Sequence, residues 1–166
     1  MTWTVRPAAV RRIVKLIAAR PELAATGTDP RPVEVRWARP TYLNRRHVWI
    51  ASVRQEDPLD PTGFTGPDQP QPYQDQFAVL VQMCAAIPGR GALGALDDIT
   101  PLLEAVTAAL ACNKRLARDT DPDPDLDGAI DITITRIDGP DIVEVPEGPQ
   151  AWAQVVAVVD TVISGT

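Results

Sequence analysis

Apolar positions along this 166-residue chain follow first a helical period, then a strand period, and then repeat the change. From Pro7 to Ala19, Val10, Ile13, Val14 and Ile17 recur at the spacing of one helical face, and Pro21 stops the pattern. Gly27, Pro30 and Pro32 make Ala24 to Pro32 a loop. Val33, Val35 and Trp37 then alternate with Glu34, Arg36 and Ala38 up to Pro40, which predicts a half-buried strand. Val48 to Arg54 predicts a second, after a turn over Tyr42 to Arg46. Tyr73, Phe77, Val79, Val81, Met83 and Ile87 share one face of a long strand, and Gln74, Gln76, Leu80 and Gln82 share the other. Two partly apolar faces suit a central strand with helices on one side and partners on the other.

After the Pro88-Gly89-Arg90-Gly91 break, Leu96, Ile99, Leu102, Leu103, Val106 and Leu110 form a second helical stripe, over Ile99 to Asn113. Asp97, Asp98 or Thr100 is its expected cap, with Pro101 in the first turn. Ile130, Ile132 and Ile134 alternate with polar residues as a strand. Asp138-Gly139 then predicts a turn, with Ile142 to Val145 pairing back. Ala151 to Ile163, rich in valine, reads as a last strand, a helix being the alternative.

Together these elements predict one α+β domain over residues 1–166: a single, mainly antiparallel sheet of about five strands packed against two helices. Ile13, Ile17, Leu103, Val106 and Leu110 are expected on the helices, against Val79, Val81 and Ile132 of the sheet. Between the second and third strands, Glu56 to Pro72 holds five prolines and two glycines, which predicts a long hairpin loop or arm without regular structure. Phe64 and Pro67 within it are candidate contacts to a neighbouring subunit, and Trp37, Arg39 and His47 are further interface candidates.

Charge narrows the possible partners. The formal net charge is −6 and the pI about 4.7, which argues against a tight grip on a phosphate backbone. Arg6, Arg11, Arg12, Lys15 and Arg20 on the first helix read as a solvated face, and Lys114, Arg115 and Arg118 as cations at the end of the second. No apolar run approaches the roughly 20 residues that span a bilayer. The start Met1 to Pro7 lacks an apolar block behind basic residues, so no secretion signal is expected and residence in a cytoplasm follows.

Candidate chemistry is sparse. Cys84 and Cys112 sit among apolar residues and read as core thiols. His47 is the single histidine, which leaves too few ligands for a structural zinc site and no partner for a nucleophile; no Gly-x-Ser-x-Gly elbow is present. Gly89-Arg90-Gly91 lacks the ending of a phosphate loop and reads as a strand-to-helix turn. In the acidic turn 119–128, Asp123, Asp125 and Asp127 match the early ligand positions of a calcium loop, but Ile134 stands where its bidentate Glu belongs. These three aspartates are a weak metal candidate, and no catalytic residue or cofactor is expected.

The order of elements resembles a family. A helix, a strand ending in Arg36-Trp37-Ala38-Arg39-Pro40, a strand His47 to Arg54, a proline-rich hairpin loop, the long strand Tyr73 to Ile87, a helix and C-terminal strands resemble the tail terminator proteins of long-tailed bacteriophages. The alanine-rich, acidic texture is similar to those of actinobacterial hosts. The resemblance implies a non-enzymatic virion protein, assembled in host cytoplasm. It implies a hexameric ring that caps the tail tube, ends its polymerisation and meets the head-tail connector, with genomic DNA passing through. It supplies no signature motif. Two alternatives stay open: another head-to-tail joining or tail-tube subunit, and a small calcium- or ligand-binding module around Asp123 to Asp131.

Overall fold

Both apolar stripes end up on the same side of one sheet. The computed structural model describes residues 6–55, 60–61, 73–112 and 130–163. Its elements are α1 (Arg6–Ala18), β1 (Val35–Arg36), β2 (Arg46–Gln55), β3 (Asp60–Pro61), β4 (Tyr73–Ala85), α2 (Ala92–Cys112), β5 (Ile130–Val145) and β6 (Gly148–Ile163), with a short 3-10 turn at Pro21–Leu23. The sheet order is β1-β2-β4-β6-β5, with β3 pairing onto β4. Only the β1–β2 pair is parallel; the other pairs are antiparallel. This is the α+β architecture that the pattern predicts.

Period-2 patterning sets the core. Phe77, Val79, Val81, Met83 and Ala85 of β4 stand opposite Val159, Ala157, Val155, Ala153 and Ala151 of β6. All ten side chains are buried against the helices. Phe77, Val79 and Met83 on β4 oppose the smaller Val159, Ala157 and Ala153 on β6, and α2 lies chiefly over β6 and β5, bringing its own small residues Ala95, Ala105 and Ala109 to the core. Small residues on both surfaces let helix and sheet approach closely while Ile99, Leu102, Val106 and Leu110 fill the space around them. α1 packs against α2 and brings Ile13 and Ile17, both fully buried, into the core.

Several boundaries differ from expectation, each for a local reason. α2 begins seven residues before Ile99, so Asp97, Asp98 and Thr100 are not caps and Pro101 lies inside the helix. Asp98 is instead buried and accepts two hydrogen bonds from Arg90, at 2.9 Å and 3.2 Å, which ties the preceding turn to the helix. Gly94 leaves room for that guanidinium: a Cβ there would lie 2.9 Å from Arg90 Cζ. Leu103 is half-buried at the core's margin, and Leu102 takes the fully buried position. Arg12 is buried, not solvated, and Cys112 is exposed, whereas Cys84 is buried as expected.

The strands depart in length. β1 covers two residues of the stretch expected from Val33 to Trp37. Asp60–Pro61 pairs with Tyr73 and Gln74, so part of the proline-rich segment is a short strand after all. Asp138-Gly139 is no hairpin turn: β5 runs on, bulging at Gly139-Pro140 between the pairs Asp138↔Gln154 and Asp141↔Trp152. The chain reverses instead between Val145 and Gly148. Gly139 has φ +86°, and a Cβ there would meet the Trp152 carbonyl oxygen at 2.6 Å, so the Asp-Gly signal marks a bulge that only glycine fits.

Candidate assembly surfaces

No described helix lies on the second face of the sheet. At one end Trp49, Cys84 and Ala86 form a small buried cluster with Leu43 and Trp152. Trp49 and Trp152 meet edge to face, ring centroids 5.9 Å apart. Burial pushes the Cys84 thiol up to about 12, against a small opposing pull from Arg39. It is a packing residue and a poor nucleophile. The Arg39 guanidinium lies 5.3 Å over the Trp152 ring. Further along, the face turns polar. Gln82 donates to Gln154 (3.1 Å), Gln154 donates to Asp138 (3.3 Å) and Arg136 donates to Asp138 (2.8 Å), a hydrogen-bonded chain across β4, β6 and β5. Beyond it, Leu80 and Val158 are half-buried.

One buried charge cluster holds the edge of this sheet in place. Arg46, almost fully buried, donates from Nε to Asp29 (3.1 Å) and from Nη2 to the Ala24 carbonyl (3.0 Å). Arg45 donates to the Arg31 and Pro32 carbonyls, both at 3.0 Å. The two arginines thus pin the 24–32 loop that delivers β1. Burial alone would raise the Asp29 carboxyl. Hydrogen bonds from Arg46 and the Arg31 amide, and the charges of Arg45 and Arg46, outweigh it and hold the group below the ordinary carboxylate range. Beside them His47 is buried, and its Nε2 has no hydrogen-bond partner among the described residues. Burial first, then the Arg45 and Arg36 charges, push its pKa down to about 4, so it is neutral at physiological pH.

The two edges of the sheet differ in charge. The ladder of β1 on β2 ends at Trp49, and no described strand pairs with the outer side of β2 beyond it. There Pro7, Val10, Trp37, Ile50 and Val53 line an apolar groove of about 360 Å³. Trp37 is 57% exposed and Val53 39% exposed. Arg36 and Arg54 are exposed on the neighbouring strands, β1 and β2. The opposite edge, β5, also has no described strand outside it. It exposes Asp131, Asp141 and Glu144, with Glu147 in the following turn, together with Ile137 and Val143, 49% and 45% exposed.

Of the interface candidates, Trp37 is exposed beside β2 and Arg39 is exposed over the Trp152 ring. His47 is buried within the fold, because the strand starts at Arg46 and turns the imidazole onto the sheet opposite Cys84. Phe64 and Pro67 lie outside the described residues, as do Lys114, Arg115, Arg118, Asp123, Asp125 and Asp127. Among the described residues no group of three His, Cys, Asp or Glu could hold a metal ion, and no described helix is long and apolar enough to cross a membrane. Sequence reading missed Asp29, Arg46 and Ile137. Asp29 and Arg46 are 17 residues apart and carry no shared spacing. Ile137 falls beyond a bulge that breaks the alternation.

Neither a protein-family model nor a curated protein matches the chain. Among solved structures, the fold is similar to the sheath/tube terminator of an extracellular contractile injection system (PVC) in its extended state, at TM-score 0.43 and 12% identity. That alignment covers all of this chain and 57% of the other.

Proposed function

We propose that this protein is a structural subunit of a phage-type tail, a tail terminator that closes as a ring, six copies being the expected number, on the end of the finished tube. The observation that carries the reading is a sheet whose described helices cover one face, with two edges of opposite charge that no described strand pairs. An enzyme concentrates its polar groups in a concave site, whereas a self-assembling subunit distributes complementary surfaces over opposite sides. Here the buried polar groups hold a loop, the lone histidine is enclosed and neutral, and the buried thiol is protonated. The element order adds the resemblance to tail terminators.

In this reading the tube protein binds one side of the ring and the head-tail connector the other, in a virion assembled in host cytoplasm. Trp37 and Arg39, with Phe64 and Pro67 of the 56–72 segment, contribute contacts between subunits. The net charge of −6 suits a lumen through which genomic DNA moves, since few phosphates are neutralised. Adding purified protein to polymerising tail tubes tests the role. A terminator stops growth at far below one copy per tube subunit and labels a single end in electron micrographs. Incorporation along the whole length would make the protein a tube subunit, and no binding to tubes or connectors would overturn the assignment to tails.

A further inference from the structure

We infer that the ring contact is made by Ile137 on the β5 edge of one copy, seated in the groove beside β2 of the next copy. The inference rests on the ring-subunit reading and adds the surface. Register across the sheet carries it: Ile50 pairs with Val81, Val81 with Val155, and Val155 with Ile137. The exposed isoleucine and the groove therefore lie on one row, at opposite edges and on the same, helix-bearing side of the sheet. A copy rotated about an axis along the strands brings Ile137 to the level of its neighbour's Ile50 without a shift along that axis. Contacts at one level close into a ring, whereas an offset would propagate as a helix.

Three further features favour a second copy of this chain as the occupant. β5 carries Asp131, Asp141 and Glu144, with Glu147 in the following turn, and β1 and β2 beside the groove carry Arg36 and Arg54, so like edges repel and unlike edges attract. β2 runs parallel to β6 and β5 antiparallel to it, so β5 meets the neighbour's β2 as an antiparallel pair, the arrangement already used through most of the sheet. Both edges have backbone groups that no described strand pairs. The groove's walls, Trp37 and Val53, and its visitor, Ile137, are among the chain's exposed large apolar residues, which the contact would bury.

The test uses two full-length variants, Ile137→Lys and Val53→Lys, with Trp37→Lys as a second change on the groove side. All three positions are exposed, and unchanged circular dichroism spectra and melting establish that the variants fold. Wild-type protein should form closed rings by native mass spectrometry, while each variant alone needs about 100-fold more protein to assemble, a loss typical of a central apolar anchor. A mixture of the two variants keeps one intact pair of surfaces per couple and should stop at a heterodimer. Rings from either variant or from the mixture at the concentration that assembles the wild type, or a symmetric dimer of one variant, would overturn the Ile137 contact and leave the terminator reading standing. Wild-type protein that stays monomeric alone and on tube ends would overturn both.

Discussion

The two faces of the sheet are built from the same strands, yet only one is specified by packing. On the helix side, β4 and β6 present ten buried residues, none polar, in direct register. On the other, the same strands present Gln82 and Gln154 joined by a hydrogen bond, Trp152 against Trp49 of β2 at one end and half-buried Leu80 and Val158 at the other. One face is finished within the chain itself. The other satisfies its polar groups laterally and keeps apolar area accessible, as a surface meant for another protein would. Substitution should separate them. Phe77→Ala, which empties a fully buried site against the helices, should cost about 3–5 kcal/mol in denaturant unfolding. Leu80→Ala, three residues along the same strand but on the open face, should cost less than about 1.5 kcal/mol. Equal losses would show that the open face is packed as tightly as the other.

The bulge at Gly139 sharpens the contrast at the β5 edge. Gly139→Ala adds a Cβ at a positive φ and 2.6 Å from a backbone oxygen that cannot rotate away. Strain and overpacking together should cost about 2–4 kcal/mol. Gly91→Ala, with open space around its Cβ position and no positive φ, is the control and should be near neutral. If Gly139→Ala unfolded at the wild-type denaturant concentration, the edge would be loose and its row with Ile50 would lose meaning.

These differences follow what the sequence makes legible. Local periodicity located both helices, the second strand, the long central strand and the C-terminal strands, because each buries one face and must repeat at its own period. It failed where a distant residue decides. Asp98 looks like a helix cap until Arg90 is seen to claim it. Asp138-Gly139 looks like a hairpin turn until β6 runs on opposite it for 16 residues. His47, between Arg46 and Val48, reads as exposed by composition. Its place opposite the buried Cys84 comes only from strand pairing. Of the proposed contact surfaces, Trp37 and Arg39 stood out as residue types, whereas Ile137 gained meaning only from its row across four strands.

His47 gives the open face a pH signature. In the fold its pKa lies at about 4 against an ordinary 6.5, because burial and the charges of Arg45 and Arg36 outweigh the attraction of Asp29. A pKa lowered by folding means that the unfolded chain binds the proton more readily. Its contribution is therefore complete above about pH 6.5 and is lost as pH falls toward 4. The loss should reach at most about 3 kcal/mol across that interval. His47→Gln should flatten the slope of stability against pH there while leaving the steeper acid limb, to which Asp29 contributes through its lowered carboxyl. An unchanged slope in the variant would mean that the imidazole is hydrated in solution.

The smallest expected effect tests whether the open face is prepared for a partner or merely uncovered. Arg39 lies over Trp152 at 5.3 Å, exposed on its outer side, and the tryptophan's Nε1 donates to Gln150 at 3.2 Å. A cation over an indole at a wet surface contributes about 0.5–1 kcal/mol, partly through the stem that shields the ring. Arg39→Ala should therefore lower stability by no more than about 1 kcal/mol, and Arg39→Lys by less. Salt should not erase the difference between the alanine and lysine variants, since a stacked pair depends on contact more than on long-range charge. The informative comparison is assembly. If Arg39 belongs to the basic rim that receives β5, Arg39→Ala should weaken ring formation more than its small stability loss explains, and raised salt should bring the wild type toward the variant. Matching losses in stability and assembly would confine Arg39 to shielding Trp152 and move the rim's charge to Arg36 and Arg54.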